Sequence, residues 1–451
     1  MEFKPGIVNR LRQALTRPGS LAGESVNIFF ADSVVMLLST VTGILTARLF
    51  GPEGKGVITM VSLIPMTMFY LGCFGMPDTM AYFLSRFPER VAENFYTILA
   101  LTCLAGIITV AAAYASIDWW HPYYQAYSRQ YFVIVLPLGM LLTLTVTLRY
   151  GFLGLGNIWN FNLINVLQAL GLLLVVLVAG LLLHQSLEAY FWLTLLNGLL
   201  MVMLVLFLIF KRRPELKTRP RNYNFSRILN YAARIYPTSI IFLFQIRLDH
   251  FLIGYFLPPK ELGIYSIAIF LSENLLRITA AFQMALFPRV SADATDRKYA
   301  MVAKVLRITN LVNIVLTLLI AAAGYPLILL LFGKPFAPAY LPLLVLLIGR
   351  VPEGLYKITS STFAAIGRPG LSSLLGVVGI VINGILGLVL IPQMGLLGAG
   401  LAKTLSLCAQ FVPAFIIFQR ESRLGFAQTL AVRREDWMDI RDRVRNFLSS
   451  L

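Results

Sequence analysis

The chain has 451 residues, 58% of them hydrophobic and 13% charged, with a formal net charge of +17. Soluble domains carry roughly 25% charged residues, so water is not the only solvent this chain meets; apolar runs of about 20 residues, enough to cross a hydrocarbon core, recur along its whole length. A transmembrane barrel is excluded, since its signature is alternation over segments of about 10 residues, and nucleic acid is excluded as a partner because the cations gather in alternate connections and both tails, as the positive-inside bias dictates.

The first 20 residues lack the apolar core of a cleaved signal. "GIVNRLRQALTR" instead places Ile7, Leu11 and Leu15 on one face, as in an amphipathic helix lying on the inner membrane surface. Apolar spans are predicted at 24–50, 55–84, 92–116, 128–154, 157–183 and 187–210, and again at 229–257, 262–288, 303–331, 339–366, 371–392 and 396–418. The expected fold class is therefore all-α and polytopic, with about twelve transmembrane helices. The even-numbered connections carry Arg86 and Arg90, then Arg149, "KRRPELKTRPRNYNFSR", "RVSADATDRK" and Arg368, whereas the odd-numbered ones hold little beyond Lys55, Lys260 and Lys334. This places both termini in the cytoplasm, with the phospholipid membrane itself a partner. "SIDWWHPYYQAYSR" then falls outside, as an aromatic belt.

The longest connection carries Pro214 and Pro220 and divides the chain nearly in half. The expected organisation is an amphipathic segment at 1–20, a first lobe at 21–210, a cytoplasmic linker at 211–227, a second lobe at 228–420 and a tail at 421–451. In the tail, Trp437, Ile440, Val444, Leu448 and Leu451 recur at helical spacing, which suits an interfacial or partner-binding helix. The halves look duplicated. "ARLFGPEGKGVITMVSLI" (47–64) aligns with "GYFLPPKELGIYSIAIFL" (254–271), pairing Pro52 with Pro259 and Gly56 with Gly263. "FLGLGNIWN" (152–160) aligns with "FAAIGRPGL" (363–371), pairing Gly156 with Gly367. Six spans per copy is an even number, so both copies enter from the same side, as parallel lobes with the substrate path between them.

Cys73, Cys103 and Cys408 lie inside apolar runs without a Cys-x-x-Cys motif, and His121, His184 and His250 are scattered. Disulfides, a metal site and a cofactor are accordingly not expected. "GPEGKG" lacks the spacing of a nucleotide-binding loop, so a transporter without a nucleotide-hydrolysis motif is expected rather than an enzyme.

An arginine near the end of the first span followed by "LFGPEGKG" resembles the R-x-L/F-G-P-x-x-x-G turn of polysaccharide transporters, matched by Arg48, Phe50, Gly51, Pro52 and Gly56. "AAIGRPG" (364–370) and "MGLLGAGLA" (394–402) are similar to the same family. These transporters form the branch of O-antigen-type lipid-linked oligosaccharide flippases in the multidrug/oligosaccharidyl-lipid/polysaccharide (MOP) exporter superfamily, whose MATE-like fold has two pseudo-symmetric six-helix lobes. The resemblance implies movement of an undecaprenyl-pyrophosphate-linked sugar unit to the outer leaflet of a bacterial inner membrane by alternating access. It also implies a role in lipopolysaccharide O-antigen or exopolysaccharide assembly, with a polymerase or assembly proteins as further partners. The two extra C-terminal helices usual in the lipid II branch have no counterpart in the sequence, which points away from a peptidoglycan precursor.

An ionised side chain within a bilayer costs at least ~2.5 kcal/mol, so each one calls for a reason. The cations expected to face a central cavity and hold an anionic lipid-linked oligosaccharide are Arg350, Lys357, Arg277, Arg247, Arg48, Arg307, Lys403 and Arg149. Asp32, Asp78, Asp249, Glu273 and Glu353 are the candidates for coupling to H+ or Na+, with the membrane potential as the other driving force. Internal pairing is the competing expectation, Glu273 with Arg277 and Glu353 with Arg350 or Lys357. A MATE-like multidrug or cation antiporter would carry acids in excess, and a membrane polymerase or glycosyltransferase a large outer loop with catalytic residues. The second lobe is mostly cationic and the outer connections are short.

Overall fold

The computed structural model describes residues 21–213, 224–293 and 297–431, together with Leu216, Thr295, Arg433, Glu435, Asp436, Met438 and Arg441. The N-terminal amphipathic segment, most of the central connection and the tail residues Trp437, Ile440, Val444, Leu448 and Leu451 lie outside the described residues. Every regular element described is a helix. The chain divides into two compact units, Met1–Ile240 and Ile241–Leu451.

The first unit contains α1 (Leu21–Gly72), α2 (Met76–Arg86), α3 (Val91–Trp120), α4 (Arg129–Gly154), α5 (Ile158–Leu177) and α6 (Leu187–Arg212). Helix α7 (Phe225–Phe256) begins in it and ends in the second unit, the division falling just beyond Pro237. The second unit continues with α8 (Pro259–Glu273), α9 (Leu276–Ala292), α10 (Arg297–Leu331), α11 (Tyr340–Ala365), α12 (Pro369–Met394), α13 (Leu396–Ser422) and the short α14 (Phe426–Leu430).

Among the described residues, ten of these helices are long and apolar enough to cross a membrane, and α8 with α9, bent by 42° at their junction, are so when taken together, as a broken span or a re-entrant loop. The first run holds the span expected at 24–50 and most of the one expected at 55–84, whose end lies in α2 beyond a break at 73–75. Gly51, at φ 66° and ψ −177°, breaks α1 into 21–50 and 52–72, a backbone state that favours a residue without a Cβ. Local chemistry starts and satisfies the helices. Asn157 and Ser186 accept the Asn160 and Ala189 N–H groups at 3.1 and 3.2 Å, capping α5 and α6. Thr42, Thr46 and Thr143 return their hydroxyls to carbonyls one turn back at 2.6–2.8 Å, which keeps them bonded where no water is at hand.

The two proposed alignments have matching backbones. At the end of α4, Asn157 N–H bonds Phe152 C=O at 2.7 Å and Gly156 N–H bonds Leu153 C=O at 3.0 Å. At the end of α11, Arg368 N–H bonds Phe363 C=O at 2.8 Å and Gly367 N–H bonds Ala364 C=O at 3.1 Å. Gly156 and Gly367 stand at φ 70° and 84°, so each helix ends in the same Schellman turn. The other pair agrees as well. Pro52 and Pro259 open helical segments, and Gly56 and Gly263 are buried in them. Proline at the first helical position loses no bond, since that N–H has no partner in any helix.

Each unit has its own apolar core. Met80, Phe83, Phe95, Leu148, Phe152 and Val205 meet in the first; Leu286, Leu306, Ile358, Phe363, Ala414 and Phe418 meet in the second. Outward faces are equally apolar, with Leu104, Ile107, Ile108, Met203 and Phe207 on α3 and α6 and Leu318, Leu319, Val381, Ile385 and Leu388 on α10 and α12 all exposed. Surfaces this apolar suit acyl chains rather than water.

Candidate substrate-binding site

The charged residues of the second unit form two networks. In the first, α11 presents Arg350, Glu353 and Lys357 along one side at helical spacing. Arg350 is 3% exposed, and each of its guanidinium nitrogens has a partner. Nη1 donates to Glu353 Oε2 at 2.6 Å, and Nε and Nη2 both donate to Ser272 Oγ at 3.1 Å. Glu273 Oε1 lies 3.9 Å from Nη2, and Lys357 Nζ lies 3.4 Å from Glu353 Oε1. Exposure rises outward along this chain, from Arg350 at 3% through Glu353 at 14% to Lys357 at 39%. Lys357 is thus the end that can meet a ligand, while Arg350 is committed to holding the carboxylate in place.

The second network surrounds Asp249 on α7, which is 1% exposed. Its Oδ1 accepts the His250 backbone N–H and faces His250 Nδ1, each at 3.1 Å. Its Oδ2 accepts Tyr265 O–H at 3.1 Å and has Lys403 Nζ at 3.7 Å. Lys403 also donates to the Gln245 carbonyl at 2.8 Å, and Gln245 Nε2 donates to Gln410 Oε1 at 2.9 Å. This ties α7, α8 and α13 together. Buried ions are tolerated only when so fully bonded, because desolvation of each costs several kcal/mol.

Other expected positions are arranged differently. Glu273 and Arg277 do not pair, because the bend between α8 and α9 falls between them; Arg277 is exposed and its Nε donates to Asn274 Oδ1 at 3.0 Å. Arg247 has a buried Nε without a hydrogen-bond partner. Arg307 is engaged with the chain's own C-terminal segment, Nε bonding Asp436 Oδ2 at 2.6 Å. In the first unit, Arg149 donates to Asn165 Oδ1 and lies over the Phe161 ring at 5.2 Å, while its Nε is buried without a partner. Arg48, Asp32 and Asp78 are exposed. No group of three or more His, Cys, Asp or Glu residues is placed to hold a metal ion among the described residues.

Ser272, Tyr265, Gln245 and Gln410 were not singled out from sequence. Each is a polar residue inside an apolar run, which is the signal that would have found them, but their partners sit on other helices far along the chain.

The inventory decides what the second unit can do. Asp249, Glu273 and Glu353 each have an arginine or lysine within 4.0 Å. Arg247, Arg277 and the half-exposed Lys357 supply cationic donors not saturated by those acids, and donors of this kind suit a phosphate-bearing or otherwise anionic ligand.

A profile described as polysaccharide biosynthesis protein matches residues 45–341, well over half the chain. The chain is similar to the probable low-salt glycan biosynthesis flippase Agl15 of Haloferax volcanii, 24% identical over 402 residues, covering 87% of this chain and 82% of the relative. Among solved structures it is similar to the lipid II flippase MurJ in an inward closed conformation (TM-score 0.73, 12% identity, 90% of this chain and 88% of that one). It is also similar to an inward-facing multidrug resistance MATE family transporter of the MOP superfamily (TM-score 0.71, 14% identity, 88% and 98%). The chain belongs to the polysaccharide biosynthesis protein family and has the all-helical fold of the MOP-superfamily transporters.

Proposed function

We propose that this protein is a flippase that moves a lipid-linked oligosaccharide from the inner to the outer leaflet. The substrate we assign is an undecaprenyl-pyrophosphate-linked repeat unit for O-antigen or exopolysaccharide assembly. The membrane would be a bacterial inner membrane, with both termini cytoplasmic, and a polymerase or assembly proteins would take the product. Support comes from the family, from the resemblance to glycan and lipid II flippases, and above all from the cationic surplus on α7, α9 and α11. Arg247, Arg277 and Lys357 would bind the pyrophosphate by charge-assisted hydrogen bonds. Arg350, Glu353, Asp249 and Lys403 would hold the scaffold that presents them.

The protein acts as a secondary transporter in this reading, not as an enzyme. A negative headgroup carried outward against an inside-negative potential gains ~2.3 kcal/mol per charge per 100 mV, so the potential alone can drive the cycle. Asp32 and Asp78, exposed in the first unit, are the positions assigned to any coupling to H+ or Na+. A cation extruder fits less well, because the acids of the second unit lie against cations.

The test is export of surface glycan in cells whose own transporter is deleted and replaced by variants. Arg277→Ala with Arg247→Ala is expected to lower export at least tenfold at unchanged protein level in the membrane. Normal export in the double variant would remove the assignment.

A further inference from the structure

The C-terminal segment is seated on the second unit by charge. α13 ends at Ser422, and Arg423, at φ 57°, turns the chain back. Phe426 of α14 then meets Phe415 of α13 edge to face at 5.8 Å, and Leu430 packs on the core that contains Val302, Leu306 and Phe418. Asn310 Nδ2 on α10 donates to the Leu430 carbonyl at 3.2 Å. Arg307, one turn earlier, bonds Asp436 through Nε to Oδ2 at 2.6 Å and through Nη2 to Oδ1 at 2.9 Å, and bonds the Gln428 carbonyl through Nη1 at 2.6 Å. Asp436 Oδ2 also accepts the Arg433 N–H at 3.0 Å. Thr429 and Asp436 are buried, at 0% and 1%.

A buried ion pair is a costly way to hold a tail and is retained only when its bonding is complete. Here both carboxylate oxygens and three guanidinium nitrogens are engaged, in the parallel two-point geometry that fixes orientation as well as distance. The segment continues from α13 and is bonded to α10, and both of those helices pack on α11, which carries Arg350, Glu353 and Lys357. We propose that residues 423–431, with Arg433 and Asp436, form a strap that ties α10 to α13, so that the two helices flanking α11 move as one body during transport. Asp436 is in this reading a positioning residue, and the strap stays closed throughout the cycle. The inference rests on the transport reading above for its functional half only.

The experiment uses the full chain in membranes, with Thr429→Cys introduced after Cys73, Cys103 and Cys408 are replaced by serine. A water-soluble maleimide reports strap opening without reference to transport. In this reporter background the introduced thiol is expected to label slowly; adding Asp436→Ala is expected to make it label at least tenfold faster and to lower glycan export about fivefold at normal protein level. Unchanged labelling, or fast labelling with full export, would overturn the proposal. A second variant, Asn310→Cys with Leu430→Cys, covers the case in which Asp436→Ala fails to insert. With its disulfide formed, export is expected to equal that of the reduced protein, and a block relieved by reductant would overturn the closed strap. If the unsubstituted protein itself exports no glycan, the transport reading fails while the labelling result still stands.

Discussion

The two units share a plan and differ in how they treat charge. The turn after α4 and the turn after α11 have the same hydrogen bonds and the same left-handed glycine. Yet Arg149, just before the first turn, leans on an amide and an aromatic ring, whereas Arg350, Glu353, Asp249 and Lys403 of the second unit are locked into bonded networks. Backbone turns therefore carry the common scaffold, and side-chain charge distinguishes the halves. Among the described residues, the second unit contains charges locked into buried networks as well as cations that its acids do not saturate.

The comparison is sharpest where a buried pair is broken. Lys403→Met removes the lysine paired with the buried Asp249 carboxylate, leaving it the hydrogen bonds from Tyr265 and the His250 N–H, and is expected to cost about 3–5 kcal/mol, seen as loss of folded protein in detergent melting. Arg149→Met removes a single charged hydrogen bond and should cost only about 1.5–3 kcal/mol in the same assay. Equal losses would mean that the units do not differ in this way.

Gly156→Ala and Gly367→Ala probe what the units share. A Cβ at either position meets nothing within 4 Å, so the penalty is the left-handed backbone alone, about 1–2 kcal/mol. The two variants should melt alike; a clear difference would break the equivalence of the turns.

The smallest effect concerns pH. The Arg307 hydrogen bonds hold the Asp436 carboxyl below the usual carboxylate range, so its contribution is present above the ordinary aspartate value of about 3.9 and is lost as pH falls through the lowered one. Maleimide labelling of the Thr429→Cys reporter, corrected for thiol ionisation, should therefore stay slow from neutral pH down to about 5. Opening within that window would show that the tie is weaker than its geometry.

Much of the fold was legible because a bilayer leaves few options. Apolar runs of sufficient length must be helices, and Pro52 with Pro259 and Gly156 with Gly367 marked the repeated turns. The site was legible by residue type and not by partner. Glu353 beside Arg350 is an i,i+3 contact that helical spacing gives directly. Lys403 beside Asp249, by contrast, joins α13 to α7 and is created only by packing. The expected pairing of Glu273 with Arg277 failed because regular helical spacing was assumed through Asn274 and Leu275, where the helix bends. Arg307 looked like a cavity cation because it lies in an apolar span, and only the folded chain brings Asp436 to it.

The central claim, that surplus cations of this scaffold carry an anionic lipid-linked oligosaccharide across the bilayer, is tested most directly in vesicles. The purified protein is reconstituted with a polyprenyl-pyrophosphate-linked oligosaccharide, and its exposure on the outer leaflet is followed with an impermeant periodate reagent. The account predicts protein-dependent transfer that speeds up under an inside-negative potential and falls at least tenfold in the Arg247→Ala, Arg277→Ala double variant. Absence of transfer, or equal transfer by the double variant, would contradict it.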